Sequence, residues 1–147
     1  DAINTEMAKK IAGDGEGATH LLECSIYGAK SDDVARKLAK SVISSSLVKA
    51  AFFGKDANWG RILCAMGYSG ELFSQEGTSV YFSSGAGEVE VFHKGVPLVF
   101  DEPKAKGVLS ETEVKIRIEL SDGKGSGTAW GCDLTYDYVK INGDYRT

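Results

Sequence analysis

Gly13-Asp14-Gly15-Glu16-Gly17-Ala18, running straight into Thr19-His20-Leu21-Leu22-Glu23-Cys24-Ser25-Ile26-Tyr27, is the stretch on which the reading of the fold turns. Three glycines alternate with two carboxylates and then give way to an apolar-rich run. Glycine adopts backbone angles closed to other residues and lets another group approach the main chain. The plain reading is a helix-to-strand turn; the functional one is a carboxylate offered to a cation. Over 19–27, Leu22, Cys24 and Ile26 share one face by the two-residue repeat of a strand.

Upstream, Ile3, Met7 and Ile11 recur at intervals of four, which predicts a helix over 2–12 stopped by Gly13. Downstream, Gly28–Ser31 turns the chain. Ser31-Asp32-Asp33 supplies a capping hydroxyl and first-turn negative charge for a helix ending near 44–46. Leu47–Phe53 reads as a strand buried on both faces. Gly54–Asn58 is a loop, and Trp59–Met66 a helix capped by Asp56 or Asn58, with Gly60 marking close packing. Strand, helix, strand, helix is an α/β signal.

The second half reads differently. Val80 and Phe82 alternate with Tyr81 and Ser83, and Gly85-Ala86-Gly87 turns into Val89 and Val91, giving a hairpin. Pro97 marks an edge. Asp101-Glu102-Pro103 opens a short helix with Ala105, Val108 and Leu109 inward. Val114, Ile116, Ile118 and Leu120 alternate with Lys115, Arg117 and Glu119, a strand with one wet face. Ser121–Gly127 is expected as a flexible turn, Thr128–Thr135 as the returning strand and Tyr136–Tyr145 as a last helix. The fold class is therefore α+β: an α/β-like first half, antiparallel hairpins in the second, and mixed sheets packed with helices.

The 147 residues suffice for one unit with a sizeable core. A hydrophobic content of 42% with 26% charge excludes disorder. The net charge of −4 and the lack of a basic block make nucleic acid an unexpected partner. No apolar run reaches membrane-spanning length and no signal-peptide pattern opens the chain, so no membrane partner is expected. Cys24, Cys64 and Cys132 lie far apart without a CxxC pair, which points to a reducing, cytoplasmic location rather than a disulfide framework or zinc site. Cys24 and Cys64 sit in apolar runs and read as buried thiols.

Signatures of chemistry are sparse. Gly13–Gly17 does not fit GxGxxG and precedes a strand, so a dinucleotide site is not expected. His20 and His93 lack a ligand cluster and read as ordinary strand or surface residues. Asp14, Glu16 and Glu23 lack the spacing of an oxygen-ligand loop, so no metal is expected. Asp56-Ala57-Asn58-Trp59-Gly60-Arg61 sets polar groups and an indole at a helix start, whose N–H groups suit an anion. Trp130–Thr147 is rich in aromatic and hydrogen-bonding residues to its last position, which reads as a docked tail.

Gly-Asp-Gly-Glu-Gly-Ala-Thr at 13–19, Asn-Trp-Gly-Arg at 58–61 and the run from Ala129 to Thr147 resemble the C-terminal part of the ornithine acetyltransferase family, the bifunctional glutamate N-acetyltransferases of arginine biosynthesis. The resemblance spans essentially the whole chain, in order. It implies part of a larger self-cleaving, two-chain acyltransferase fold. The family precursor cuts itself between an alanine and a threonine. The new N-terminal threonine of the β chain takes acetyl from N-acetylornithine, releases ornithine and passes acetyl to glutamate in a ping-pong cycle. The oxyanion hole lies on the α chain.

This chain begins with Asp1, and Thr5 falls in a helical pattern rather than at such a terminus. The expectation is the C-terminal part of the β chain, by a second cleavage or trimming, with no catalytic nucleophile of its own and inactive alone. On this reading residues 1–147 are a single unit. Segments 1–17 and 128–147 contribute to the active-site lobe, and 18–127 form the C-terminal α/β lobe. The resemblance assigns substrate binding to Glu16, Asn142 and Thr147. A carboxylate at Glu16 can pair an ammonium in a charge-assisted bond. Asn142 can donate and accept, and Thr147 offers a hydroxyl. Asn58 and Arg61 are assigned no catalytic role, and capping and packing is at least as good a reading of them.

The implied partners are the α chain of the same precursor and the missing N-terminal β segment, in a heterotetramer or larger assembly. The small-molecule partners are N-acetylornithine and glutamate. No cofactor is expected, with acetyl-CoA as a co-substrate in some members. The alternative is a non-catalytic α/β binding or assembly module. A phosphate- or metal-binding enzyme on the glycine-rich turn is a third reading without a ligand set.

Overall fold

Leu21–Ala29, the run beyond the glycine-rich turn, forms strand β1, and its alternate residues Leu22, Cys24 and Ile26 are wholly buried. The structure, a computed structural model, describes Glu6 and residues 20–133. The glycine-rich turn and the expected helices over 2–12 and 136–145 lie outside the described residues, except for Glu6, which is helical. β1 continues through the expected turn at Gly28, where its pairing shifts register. Gly28 has φ +80°, and a Cβ there would stand 2.0 Å from the Leu120 carbonyl oxygen, so only glycine fits.

Helix α1 (Asp32–Ser44) starts where the sequence predicts: the Ser31 hydroxyl accepts the Val34 N–H, and Asp32 and Asp33 occupy the positive end of the helix dipole. The next element corrects the sequence reading. Leu47–Phe53 is not a strand but the body of helix α2 (Ser46–Phe53). Ser45 ends α1 and caps α2 in turn, its hydroxyl accepting the Val48 N–H. Val48, Ala51 and Phe52 are buried while Leu47 is 61% exposed, a helical spacing of one, four and five that a short apolar run conceals. Helix α3 (Trp59–Gly67) follows, capped by Asn58. Among the described residues, the first half is therefore one strand and three helices, not two strand–helix units.

The hairpin forms as expected from β2 (Ser79–Ser84) and β3 (Gly87–His93), with the two-residue β4 (Val96–Pro97) on the edge. Its pairing shifts between Val80 and Tyr81. Val91 and Phe92, though adjacent, are both buried; a bulge turns neighbouring residues to one side in this way. Helix α4 (Glu102–Val108) is capped by Asp101. Strands β5 (Glu113–Glu119) and β6 (Gly125–Cys132) complete a six-stranded sheet of order β4-β3-β2-β5-β1-β6. β1 and β5 run parallel; the other neighbours are antiparallel. The α+β class holds, with one mixed sheet.

One sheet face carries the core. Leu22, Cys24 and Ile26 align with Val114, Ile116 and Ile118, which align in turn with Phe82 and Val80. Phe52 of α2 meets Phe82 edge-on at 5.5 Å, and Trp59 of α3 stacks on Phe92 at 4.9 Å. Burying each such side chain contributes about 1.5–3 kcal/mol. The other face is wet: the Arg117 guanidinium lies 4.0 Å from the centre of the Tyr81 ring and donates to Glu88.

β6 begins at Gly125, three residues before the strand expected from the sequence, because the glycines read as a loose turn serve packing instead. A Cβ at Gly125 would lie 2.1 Å from the Ser31 carbonyl carbon, and one at Gly127 2.7 Å from the Arg36 nitrogen. The α1 backbone thus rests almost directly on the strand. Gly125→Ala is expected to cost at least the ~1–3 kcal/mol of an overpacked core, since backbone atoms must move. Gly85→Ala, with nothing within 4 Å of the new atom, is expected to change stability by less than ~0.5 kcal/mol. Urea denaturation of both variants, with equal stability as the contrary result, checks this.

Candidate functional site

Glu16, Asn142 and Thr147, the residues expected to contact substrate, lie outside the described residues. The described fold does place the two points from which the segments carrying them depart. His20 precedes β1 and Asp133 follows β6, and the register of the two strands sets them side by side. The Asp133 N–H donates to the His20 carbonyl at 3.3 Å. The His20 N–H donates not to the Asp133 carbonyl but to its side-chain Oδ1, at 2.9 Å. A side chain thus completes this rung of the ladder.

The His20 ring adds two further bonds. Nδ1 faces Asp133 Oδ2 at 2.6 Å, and Nε2 faces the Leu109 carbonyl at 2.7 Å. A carbonyl and an ionised carboxylate only accept, so with Asp133 ionised both ring nitrogens donate and the ring is held as an imidazolium. Asp133 is 1% exposed and His20 6%, so this is a buried ion pair. Leu109 closes the C-terminal end of α4, where a cation is favoured. The hydrogen bond to Asp133 does most to raise the His20 pKa above its ordinary value. Burial opposes it, the charge of Asp133 and the Leu109 carbonyl add to it, and the charge of Lys55 lowers it. The sequence weighs His20 as an ordinary strand or surface residue; no local pattern links it to an aspartate 113 positions away.

The other residues singled out by sequence have structural partners. Asn58 Oδ1 accepts the Arg61 N–H and its amide donates to Asp56. Arg61 donates to the Leu47 carbonyl. These are the capping and packing roles expected of them. Glu23 faces the wet side, where the Trp130 indole donates to it at 2.8 Å and the Lys115 ammonium lies 3.8 Å away. His93 is exposed beside Glu90. Cys24 is buried as expected, and burial pushes its thiol pKa up. Cys64 corrects the sequence reading: it is exposed, because Ile62, Ala65 and Met66 take the inward face of α3. Among the described residues, no group of three or more His, Cys, Asp or Glu side chains is placed to hold a metal ion, and no helix is long and apolar enough to cross a membrane.

A sequence profile of the ArgJ family matches residues 1–147. The chain is 54% identical to the arginine biosynthesis bifunctional protein ArgJ 1 of Clostridium acetobutylicum, over 99% of this chain and 36% of that protein. It is 49% identical to a glutamate N-acetyltransferase of Methanosarcina mazei, over 99% of this chain and 37% of the other. The crystal structure of a Bacillus halodurans arginine biosynthesis bifunctional protein argJ superposes with a TM-score of 0.88 at 48% identity, covering 95% of this chain and 64% of that one. The chain spans about a third of the length of these two curated relatives.

Because the folded pKa of His20 is raised, its contribution to stability is complete below the unfolded value of ~6.5 and is lost as pH climbs through the folded value. The melting temperature is expected to fall along that alkaline limb in the native protein, and the limb to vanish in His20→Asn. Asp133→Ala, which strands a buried cation, is expected to cost ~3–5 kcal/mol at neutral pH. Thermal scans across pH and urea denaturation measure both.

Proposed function

Because this chain belongs to the ArgJ family, we propose that it forms part of an acetyltransferase of arginine biosynthesis, one that moves acetyl from N-acetylornithine to glutamate. The observation that carries the reading is the family match along the full chain, joined to 54% identity with a bifunctional ArgJ protein.

The reaction proceeds in two half-steps. A threonine hydroxyl, at the N-terminus of a β segment outside this chain, attacks the acetyl carbonyl of N-acetylornithine. The amide C–N bond breaks, ornithine leaves with the proton on its amine, and acetyl remains as an ester on the threonine. The glutamate amine then attacks that ester, the C–O bond breaks, and the threonine regains its proton. Splitting one acyl transfer into two through a covalent intermediate is what a ping-pong cycle does. The oxyanion hole on the α chain stabilises each tetrahedral intermediate.

This chain supplies part of the amino-acid pocket. Glu16 pairs the substrate ammonium, while Asn142 and Thr147 bind its polar groups. Support comes from the adjacency of His20 and Asp133, the described residues nearest in sequence to Glu16 and to Asn142. The partners on this reading are the α chain and the remaining β segment, in a heterotetramer or larger assembly. No resident cofactor takes part; acetyl-CoA serves as an alternative acetyl donor. A cytoplasmic location fits the widely spaced cysteines.

The test is acetyl transfer from N-acetylornithine to glutamate by the complete two-chain enzyme, with parallel double-reciprocal lines expected. Absence of transfer would favour a non-catalytic assembly module. Glu16→Gln removes a charge-assisted bond worth ~1.5–3 kcal/mol, so KM for N-acetylornithine is expected to rise roughly 10–100-fold. Its melting temperature is expected to stay unchanged; a matching loss of stability would make Glu16 a structural residue.

A further inference from the structure

We propose that His20 and Asp133 form a positioning latch. The pair joins the root of the glycine-rich segment to the root of the carboxyl-terminal segment, and thereby sets how far apart the groups on those two segments stand in the amino-acid pocket. The proposal rests on the reading above for the role of Glu16, Asn142 and Thr147. It goes beyond it in naming two residues that touch no substrate yet govern its binding.

Four observations carry it. The first is position: among the described residues, His20 and Asp133 make the rung of the β1–β6 ladder beyond the pair Leu21 and Cys132. The second is how that rung is made. An antiparallel hydrogen-bonded pair normally exchanges two backbone bonds. Here the Asp133 carboxylate accepts the His20 N–H in place of its own carbonyl, so the side chain sets the geometry of this rung. The third is the simultaneous use of both carboxylate oxygens, one on the His20 backbone and one on its ring. Moving Asp133 therefore breaks the rung and the ion pair together. The fourth is the anchor. The ring's other nitrogen is held by the Leu109 carbonyl, so the latch is referred to the end of α4 and not only to its own two strands.

An ion pair suits this task better than an apolar contact. Apolar packing tolerates sliding, whereas a buried carboxylate on an imidazolium has narrow distance and angle limits. The charges facing the ring are those of Asp133, which favours the imidazolium, and Lys55, which disfavours it. Raising the pH until the ring loses its proton leaves one ring nitrogen without a hydrogen, so the hold on either Asp133 or Leu109 is lost. The latch then slackens while the rest of the ladder stays paired.

The experiment uses the complete two-chain enzyme. Asp133→Asn keeps an oxygen for the His20 N–H but abolishes the ion pair. KM for N-acetylornithine is expected to rise about tenfold with kcat changed less than about threefold, as for lost positioning of bound substrate. The alkaline rise of KM is expected to disappear in both Asp133→Asn and His20→Asn. Unchanged KM, or a fall in activity that only follows the loss of folded protein, would overturn the latch.

Amide hydrogen exchange supplies a readout independent of activity. The amides of His20, Leu21, Cys132 and Asp133 are expected to exchange faster in Asp133→Asn while β2 and β3 keep their protection. Equal exchange in native and variant enzymes sinks the proposal even where kinetics change. Should the native enzyme fail to transfer acetyl, the proposed function falls, and exchange still decides the latch. If Asp133→Asn does not fold, the same two measurements are made on His20→Asn.

Discussion

A buried charge that must be answered on two sides holds the ends of the described fold together. The His20 ring meets a carboxylate on one side and a helix-terminal carbonyl on the other, which together favour its imidazolium form. Its neutral form would leave one acceptor facing a bare nitrogen. Desolvation opposes the charge, and the two acceptors outweigh it. β1 lies between β5 and β6, and this site ties its start to the end of β6. The parallel partner β5 and the antiparallel partner β6 both come from the last third of the described residues. Closure of the sheet is therefore a long-range event.

The same economy governs how α1 meets β6. Strands are usually covered by side chains that fill about 10 Å between layers. Here Gly125 and Gly127 bring the helix backbone down onto the strand, and α1 spans β6 and β1 together. Polar groups are thereby left to the wet face, where Glu23, Trp130, Lys115 and the Arg117–Tyr81 pair sit. Such exposed ion pairs contribute little to stability. The fold rests on the covered face and on the His20–Asp133 rung.

Where local chemistry decides, the sequence could be read directly. Ser31 caps the helix expected of it, Asn58 is the cap of the two candidates Asp56 and Asn58, and Asp101 caps the helix that Asp101-Glu102-Pro103 opens, because a cap is settled within three residues. The alternation of Val114, Ile116 and Ile118 gave β5 with the correct inward face. Leu47–Phe53 was misleading because a continuous apolar run contains neither repeat clearly, and the Ser45 cap that decides it also serves as the end of α1. Cys64 was misread for a related reason: an apolar neighbourhood in sequence is not one in space. Family membership was legible from the motifs at 13–19, 58–61 and 129–147, and the family profile covers the same span.

Sequence alone determined the Ser31 cap, the alternating strands, the α+β class and the family, because each is written in short-range spacing or in matched motifs. Only the tertiary structure decided that a histidine and an aspartate 113 positions apart are one buried ion pair, and that glycines resembling a loose turn are the seat of a helix. The reason is physical. Burial, charge stabilisation and close backbone approach depend on what the other side of the sheet or the far end of the chain brings near, and no local pattern of residues carries that information.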